Sequence, residues 1–98
     1  MALRGDGDHE RHWTFLSNHG HVLVAIHEAP DARVRDIADR VGISERAVQL
    51  IIADLERSGY VVRSRTGRRT HYAVTAGGHL RHPAERESSV DDLLSVFR

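Results

Sequence analysis

The chain contains no cysteine and no lysine. Without cysteine there is no disulfide framework, no thiolate metal ligand and no sulfur nucleophile, so an intracellular, cytoplasmic setting is the simplest expectation. Its longest apolar run, Val22 to Ile26, falls far short of the roughly 18 residues that a membrane span needs. Acids stand near the N-terminus where a signal peptide would carry its apolar core, so the chain reads as soluble and unprocessed, with no membrane partner. Also missing are a glycine-rich phosphate loop, a nucleophile elbow, an H-E-x-x-H pair and any acid pair set against a histidine. No catalytic residue, cofactor or metal is therefore expected, and the chain is not read as an enzyme.

Net charge is absent too: 14 arginines balance 14 acids. That balance speaks against a nucleic-acid partner until the distribution is considered. Residues 1–43 carry a net −2, residues 44–74 a net +3 and residues 75–98 a net −1. Within the positive stretch, Arg63, Arg65, Arg68 and Arg69 face no acid in the local sequence, and such a cluster attracts phosphate whatever the total charge. Arginine's planar fork suits phosphate and guanine edges, although an all-arginine repertoire equally fits a GC-rich genome.

A chain of 98 residues has room for one modest core and one domain, which a partner chain would help. Residues 1–11 are Gly- and Asp-rich and read as a flexible tail. Residues 12–78 hold the organised part. A first helix starts after Ser17 or Asn18, either able to cap it, and is stopped by Pro30. Trp13 and Phe15, just upstream, fit a short strand or an extra helical turn. Apolar residues at 34, 37, 38 and 41 have the spacing of one buried helical face. Gly42 ends that helix by allowing a left-handed backbone, Ile43 anchors the turn in the core, and Ser44 caps the next helix. This third helix buries Ala47, Val48, Ile51, Ile52 and Leu55. Its opposite face presents Glu45, Arg46, Gln49, Leu50, Ala53 and Arg57, and it ends at Ser58-Gly59. At roughly 20 Å it is long enough to lie in a major groove with its first turns on the bases.

Tyr60–Val62 and Thr70–Val74 are β-branched and aromatic, with Thr66-Gly67-Arg68-Arg69 between them as the turn of a hairpin. Residues 79–98 form a connector, marked by Gly77-Gly78 and Pro83, and a last helix capped at Ser89 whose stripe is Val90, Leu93, Leu94 and Phe97. That stripe packs on its own domain or on a second chain. The fold class is mainly α with a small β-hairpin wing, a winged helix-turn-helix.

The segments W-T-F-L-S-N-H-G-H-V-L at 13–23, V-R-D-I-A-D-R-V-G-I-S-E-R-A-V-Q at 34–49, A-D-L-E-R-S-G-Y at 53–60, G-R-R at 67–69 and L-R-H-P at 80–83 carry a family resemblance. The chain resembles the small MarR/ArsR-like winged helix-turn-helix transcriptional regulators across nearly all of residues 13–97. The resemblance implies a DNA-binding regulator, commonly a homodimer, with Ser44 to Ser58 as recognition helix. The chain lacks the cysteines of many metal-sensing members and the long flanking helices of typical MarR dimers, which argues against a metal switch and a MarR-type ligand cleft.

The expected partners are double-stranded DNA and a second copy, since a two-fold reader doubles the contacts open to a small domain. Nothing in the sequence speaks to a small-molecule effector. The candidate DNA contacts are Arg35, Ser44, Glu45, Arg46, Gln49, Arg63, Arg65, Arg68, Arg69 and His71. Arg46 suits guanine and Gln49 suits adenine in bidentate pairs, while Arg35 and the wing arginines suit phosphate. Docking of another protein through the same helix is the alternative. Eight histidines are present, and the close pairs His9/His12, His19/His21 and His79/His82 lack the complement of a recognised metal site. His71, beside the wing, is the one expected to add positive charge on acidification and so to favour DNA as pH falls.

Overall fold

The computed structural model describes residues 13–97, and the expected flexible tail lies outside them. Six elements follow in order: α1 (Asn18–Glu28), α2 (Val34–Val41), α3 (Glu45–Arg57), β1 (Val61–Thr66), β2 (Arg69–Val74) and α4 (Val90–Leu94). The architecture is mainly helical with one two-stranded antiparallel hairpin.

Side-chain caps set where the helices begin. Ser17, not Asn18, starts α1: its hydroxyl accepts the Gly20 N–H at 3.2 Å. Ser44 does the same for the Ala47 N–H at 3.0 Å and Ser89 for the Asp92 N–H at 2.9 Å. The Asp36 carboxylate reaches back to the Arg33 N–H at 3.1 Å in front of α2. Each such cap satisfies an otherwise orphaned helix donor and is worth about 1 kcal/mol. Helix ends use glycine where the chain must reverse. Gly42 sits at φ 85° behind α2, with both its own N–H and that of Ile43 returned to the Ala38 carbonyl.

The three-four spacing resolves into a single core. Val22 and Ile26 of α1, Ile37 and Ala38 of α2, and Val48, Ile51, Ile52 and Leu55 of α3 are buried together, with Val61 and Tyr72 of the hairpin closing one side. Ile43 packs on this core from the turn, as its position in the sequence suggests. At the surface a carboxylate joins α1 to α3: Asp54 accepts from His19 Nε2 and from Arg57 Nη2, both at 2.8 Å.

Three features differ from the sequence expectation, and a fourth bears on which surface the last helix packs against. Strand pairing runs unbroken from Val61↔Val74 to Thr66↔Arg69, so β1 extends through Arg63–Thr66 and the turn shrinks to Gly67-Arg68. Gly67 at φ 62°, followed by a residue without positive φ, is the pattern of a two-residue type II′ turn, whose twist matches that of its strands. Trp13 and Phe15 are neither strand nor helix, because the Ser17 cap starts α1 after them. They stack edge to face on each other, centroids 5.1 Å apart. The last helix ends at Leu94, so Phe97 lies beyond it. Finally, Val90 and Leu94 are buried in the domain's own core, held there by Val90 N–H to the Gly78 carbonyl at 2.8 Å and Gly77 N–H to the Asp91 carboxylate at 2.9 Å. No helix among the described residues is long and apolar enough to cross a membrane.

A Cβ at Gly42 would meet nothing within 4 Å, so Gly42→Ala should register backbone strain alone, lowering stability by about 1–2 kcal/mol in urea unfolding, with Gly42→Asn milder. The His19 hydrogen bond, aided by Arg57 and opposed by partial desolvation, holds Asp54 below the ordinary carboxylate range. A depressed folded-state pKa gives stability that is present above the unfolded value of ~3.9 and is lost as pH falls through the folded value. His19→Ala should move the Asp54 titration upward, read by carboxyl carbon NMR, and shrink the loss of stability on the acid side.

Candidate nucleic-acid interface

Burial of Val48, Ile51, Ile52 and Leu55 fixes which side of α3 looks outward. Glu45, Arg46, Gln49, Leu50 and Arg57 are exposed on the remaining faces, and Ala53 is half-buried. By helical geometry, Arg46, Leu50, Ala53 and Arg57 form the line opposite the core, while Gln49 and Glu45 sit to one side of it. The Ser44 hydroxyl is committed to capping. Arg57 is paired with Asp54, whereas Glu45, Arg46 and Gln49 engage no side-chain partner among the described residues. Arg35 is exposed on the first turn of α2, away from the Arg40–Glu28 ion pair that joins α2 to α1.

The wing arginines are not equivalent. Arg63 meets the Glu56 carboxylate in a bidentate pair, Nε to Oε2 at 3.0 Å and Nη2 to Oε1 at 2.8 Å, and its guanidinium lies 5.8 Å over the Tyr72 ring. The reading that four wing arginines face no acid is therefore corrected for Arg63. That hydrogen-bonded carboxylate raises the Arg63 pKa still further and fastens β1 to the last turns of α3. Arg69 donates to the backbone carbonyl of Asp31, a tie that leaves its charge unneutralised. Arg65 and Arg68 have no ion-pair partner among the described residues. His71 Nδ1 lies 2.9 Å from Asp31 Oδ1. One residue of the α1–α2 connection thus holds β2 at two points, through its carbonyl and its carboxylate.

Sequence reasoning missed both anchors, Asp31 and Glu56. Glu56 is seven residues from Arg63 across a chain reversal, and Asp31 is 38 from Arg69, so no local spacing signals either contact.

Among the described residues the other histidines, His27 apart, face separate partners. His19 meets Asp54, His21 meets the Thr14 hydroxyl at 3.2 Å, His79 meets the Arg86 carbonyl at 3.0 Å and His82 accepts the Ala84 N–H at 3.1 Å. His9 and His12 lie outside the described residues. Among the described residues no three His, Asp or Glu side chains gather as a metal-binding group.

A separate concave surface opens beyond the C-terminal end of α3. It is a groove of about 890 Å³ whose apolar lining includes Phe15, Leu16, Leu23, Leu55, Leu80 and Leu93. Beside it the Trp13 and Phe15 rings remain 72% and 92% exposed.

A helix-turn-helix whose third helix projects a polar face, followed by a basic antiparallel hairpin, defines the winged-helix class of transcriptional regulators. The MarR family model matches residues 14–70, more than half of the chain, and the protein belongs to the MarR family. FabT from Streptococcus pneumoniae, solved in complex with DNA, is 26% identical over 59% of this chain and 43% of its own, with a TM-score of 0.54. PcaV from Streptomyces coelicolor, solved with its natural ligand, is 26% identical over 62% of this chain and 45% of its own, with a TM-score of 0.56. The fold is shared with a mutant of MepR from S. aureus bound to an oligodeoxyribonucleotide, at 23% identity over 60% of this chain and 46% of its own, TM-score 0.53. The chain thus spans less than half the length of these solved relatives. Among curated protein sequences no match is found.

The double tie at Asp31 yields a prediction. Exposed polar contacts are worth at most about 1 kcal/mol each, so Asp31→Ala should change global stability little. It removes the carboxylate that meets His71 while the residue-31 carbonyl still accepts from Arg69, and should loosen the wing, seen as faster hydrogen exchange at β2 amides with α3 amides unchanged.

Proposed function

We propose that this protein is a cytoplasmic transcriptional regulator that binds double-stranded DNA sequence-specifically as a homodimer. In this reading α3 lies in the major groove and the wing on the sugar-phosphate backbone. The observation that carries it is the outward face of α3: Arg46 and Gln49 stand exposed and unengaged on a helix that the core holds rigidly from behind. Arg46 presents a fork for guanine and Gln49 a donor–acceptor pair for adenine, each pairing worth about 1–3 kcal/mol of discrimination. Ser44 and Glu45 bring the N-terminal turn to the same groove, and Arg35 approaches phosphate from α2.

Arg65, Arg68 and Arg69 supply charge to the backbone, affinity more than sequence choice. Arg63 contributes chiefly by bracing β1 against α3, so its guanidinium reaches DNA only as part of that pair. His71, against Asp31, stands beside the wing arginines at the same surface. FabT and MepR have been solved with DNA, which supports this assignment.

The homodimer rests on a different surface. Trp13, Phe15 and the groove toward Leu80 and Leu93 leave apolar area uncovered, which a second copy would cover. Residues 79–97 then do two things, burying Val90 and Leu94 inward and offering Leu80 and Leu93 to the groove.

Fluorescence anisotropy on duplexes selected from a random pool tests the assignment. Each phosphate contact should add about 0.9 to the slope of log affinity against log salt. Arg68→Glu with Arg69→Glu should weaken binding to every duplex and flatten that slope, while Arg46→Ala or Gln49→Ala should relax preference at one or two base pairs. Absence of any duplex retention at low salt would contradict the reading and favour a protein-docking module.

A further inference from the structure

We propose that Leu50 reads thymine: its side chain packs against the C5-methyl group that thymine alone among the four bases presents in the major groove. This inference rests on the assignment of α3 as the groove helix. Leu50 is 57% exposed, and on α3 it is the one large apolar side chain that the core does not take. Val48 and Ile52, two residues to either side, are fully enclosed, which turns Leu50 away from the core.

Its neighbours on the outward line are Arg46 at i−4, Ala53 at i+3 and Arg57 at i+7. Ala53 offers Leu50 one methyl group and the two arginines only the aliphatic stems of charged side chains. A solitary exposed leucine is ordinary on most surfaces. On this line it is not neutral, because whatever meets Arg46 also meets Leu50 one turn later.

The chemistry of the groove then selects the base. Guanine, adenine and cytosine edges offer donors and acceptors that leucine cannot satisfy, and covering such a group without a hydrogen bond is unfavourable. Thymine places a methyl group at the rim of its edge, which leucine covers with gain. Attraction and exclusion act in the same direction, so Leu50 confers thymine preference beside the base that Arg46 contacts. It is a specificity-determining residue that the charge pattern alone does not single out.

Replacing individual thymines by deoxyuridine removes only the methyl group and leaves base pairing intact. In duplexes selected by the full chain, one such replacement in a single half-site should weaken wild-type binding about fourfold, the effect of one buried methyl group. Leu50→Ala should bind the thymine and deoxyuridine duplexes equally, with an unchanged thermal unfolding midpoint because the side chain is exposed. Arg46→Ala should keep the thymine preference while losing discrimination at its own base pair. Sequence-selective binding that is indifferent to every thymine methyl, or a Leu50→Ala variant that keeps the wild-type ratio, would overturn the role of Leu50 and leave DNA reading standing. Failure of the wild-type chain to retain any duplex at low salt would overturn both.

Discussion

Val48 and Ile52 are enclosed on all sides, and the direction in which α3 presents its outer face depends on that enclosure. Fully burying one aliphatic side chain contributes about 1.5–3 kcal/mol, whereas the surface ties around α3, His19–Asp54 and Arg63–Glu56 among them, belong to a class worth at most about 1 kcal/mol each. Burial therefore decides the rotation of α3 about its axis, and the ion pairs trim its neighbours. A rotation of one residue, about 100°, would exchange Leu50 for a buried position and turn Arg46 aside. The outer line keeps its direction because four apolar side chains behind it are buried together.

The wing obeys a different logic. Only Val61 and Tyr72 of the hairpin are buried, so the distal half has no apolar reason to stay in place. It is held instead by polar contacts at both edges, Glu56 to Arg63 on β1 and Asp31 to Arg69 and His71 on β2. This makes the wing the softer of the two elements. Its position can adjust to a duplex while α3 stays fixed, consistent with assigning sequence choice to the helix and general affinity to the hairpin.

Much of this was legible from residue order. The helices could be read because apolar residues at 34, 37, 38 and 41, then at 48, 51, 52 and 55, admit one face only, and because Ser44 and Gly42 punctuate them. The hairpin's outer arms were not legible: Arg63 to Thr66 carries no apolar alternation, and its pairing comes from a glycine turn and from Arg63 lying over Tyr72. Contacts across 38 and 40 residues at Asp31 exist only once α1 and the hairpin share a core. The last helix misled for a simpler reason. Phe97 continues the stripe in sequence, yet the helix stops at Leu94, where Ser95 turns its hydroxyl back to the Asp92 carbonyl at 2.6 Å.

We propose that one side of this small domain, the outer line of α3 with the cationic wing, meets the duplex, and that the groove near Trp13 and Leu80 does not. Backbone amide chemical-shift mapping with a selected duplex tests it most directly. Shifts should concentrate at residues 44–50 and at 65–71 and scale with salt. Perturbations confined instead to residues 13–20 and 80–93, with α3 silent, would contradict it.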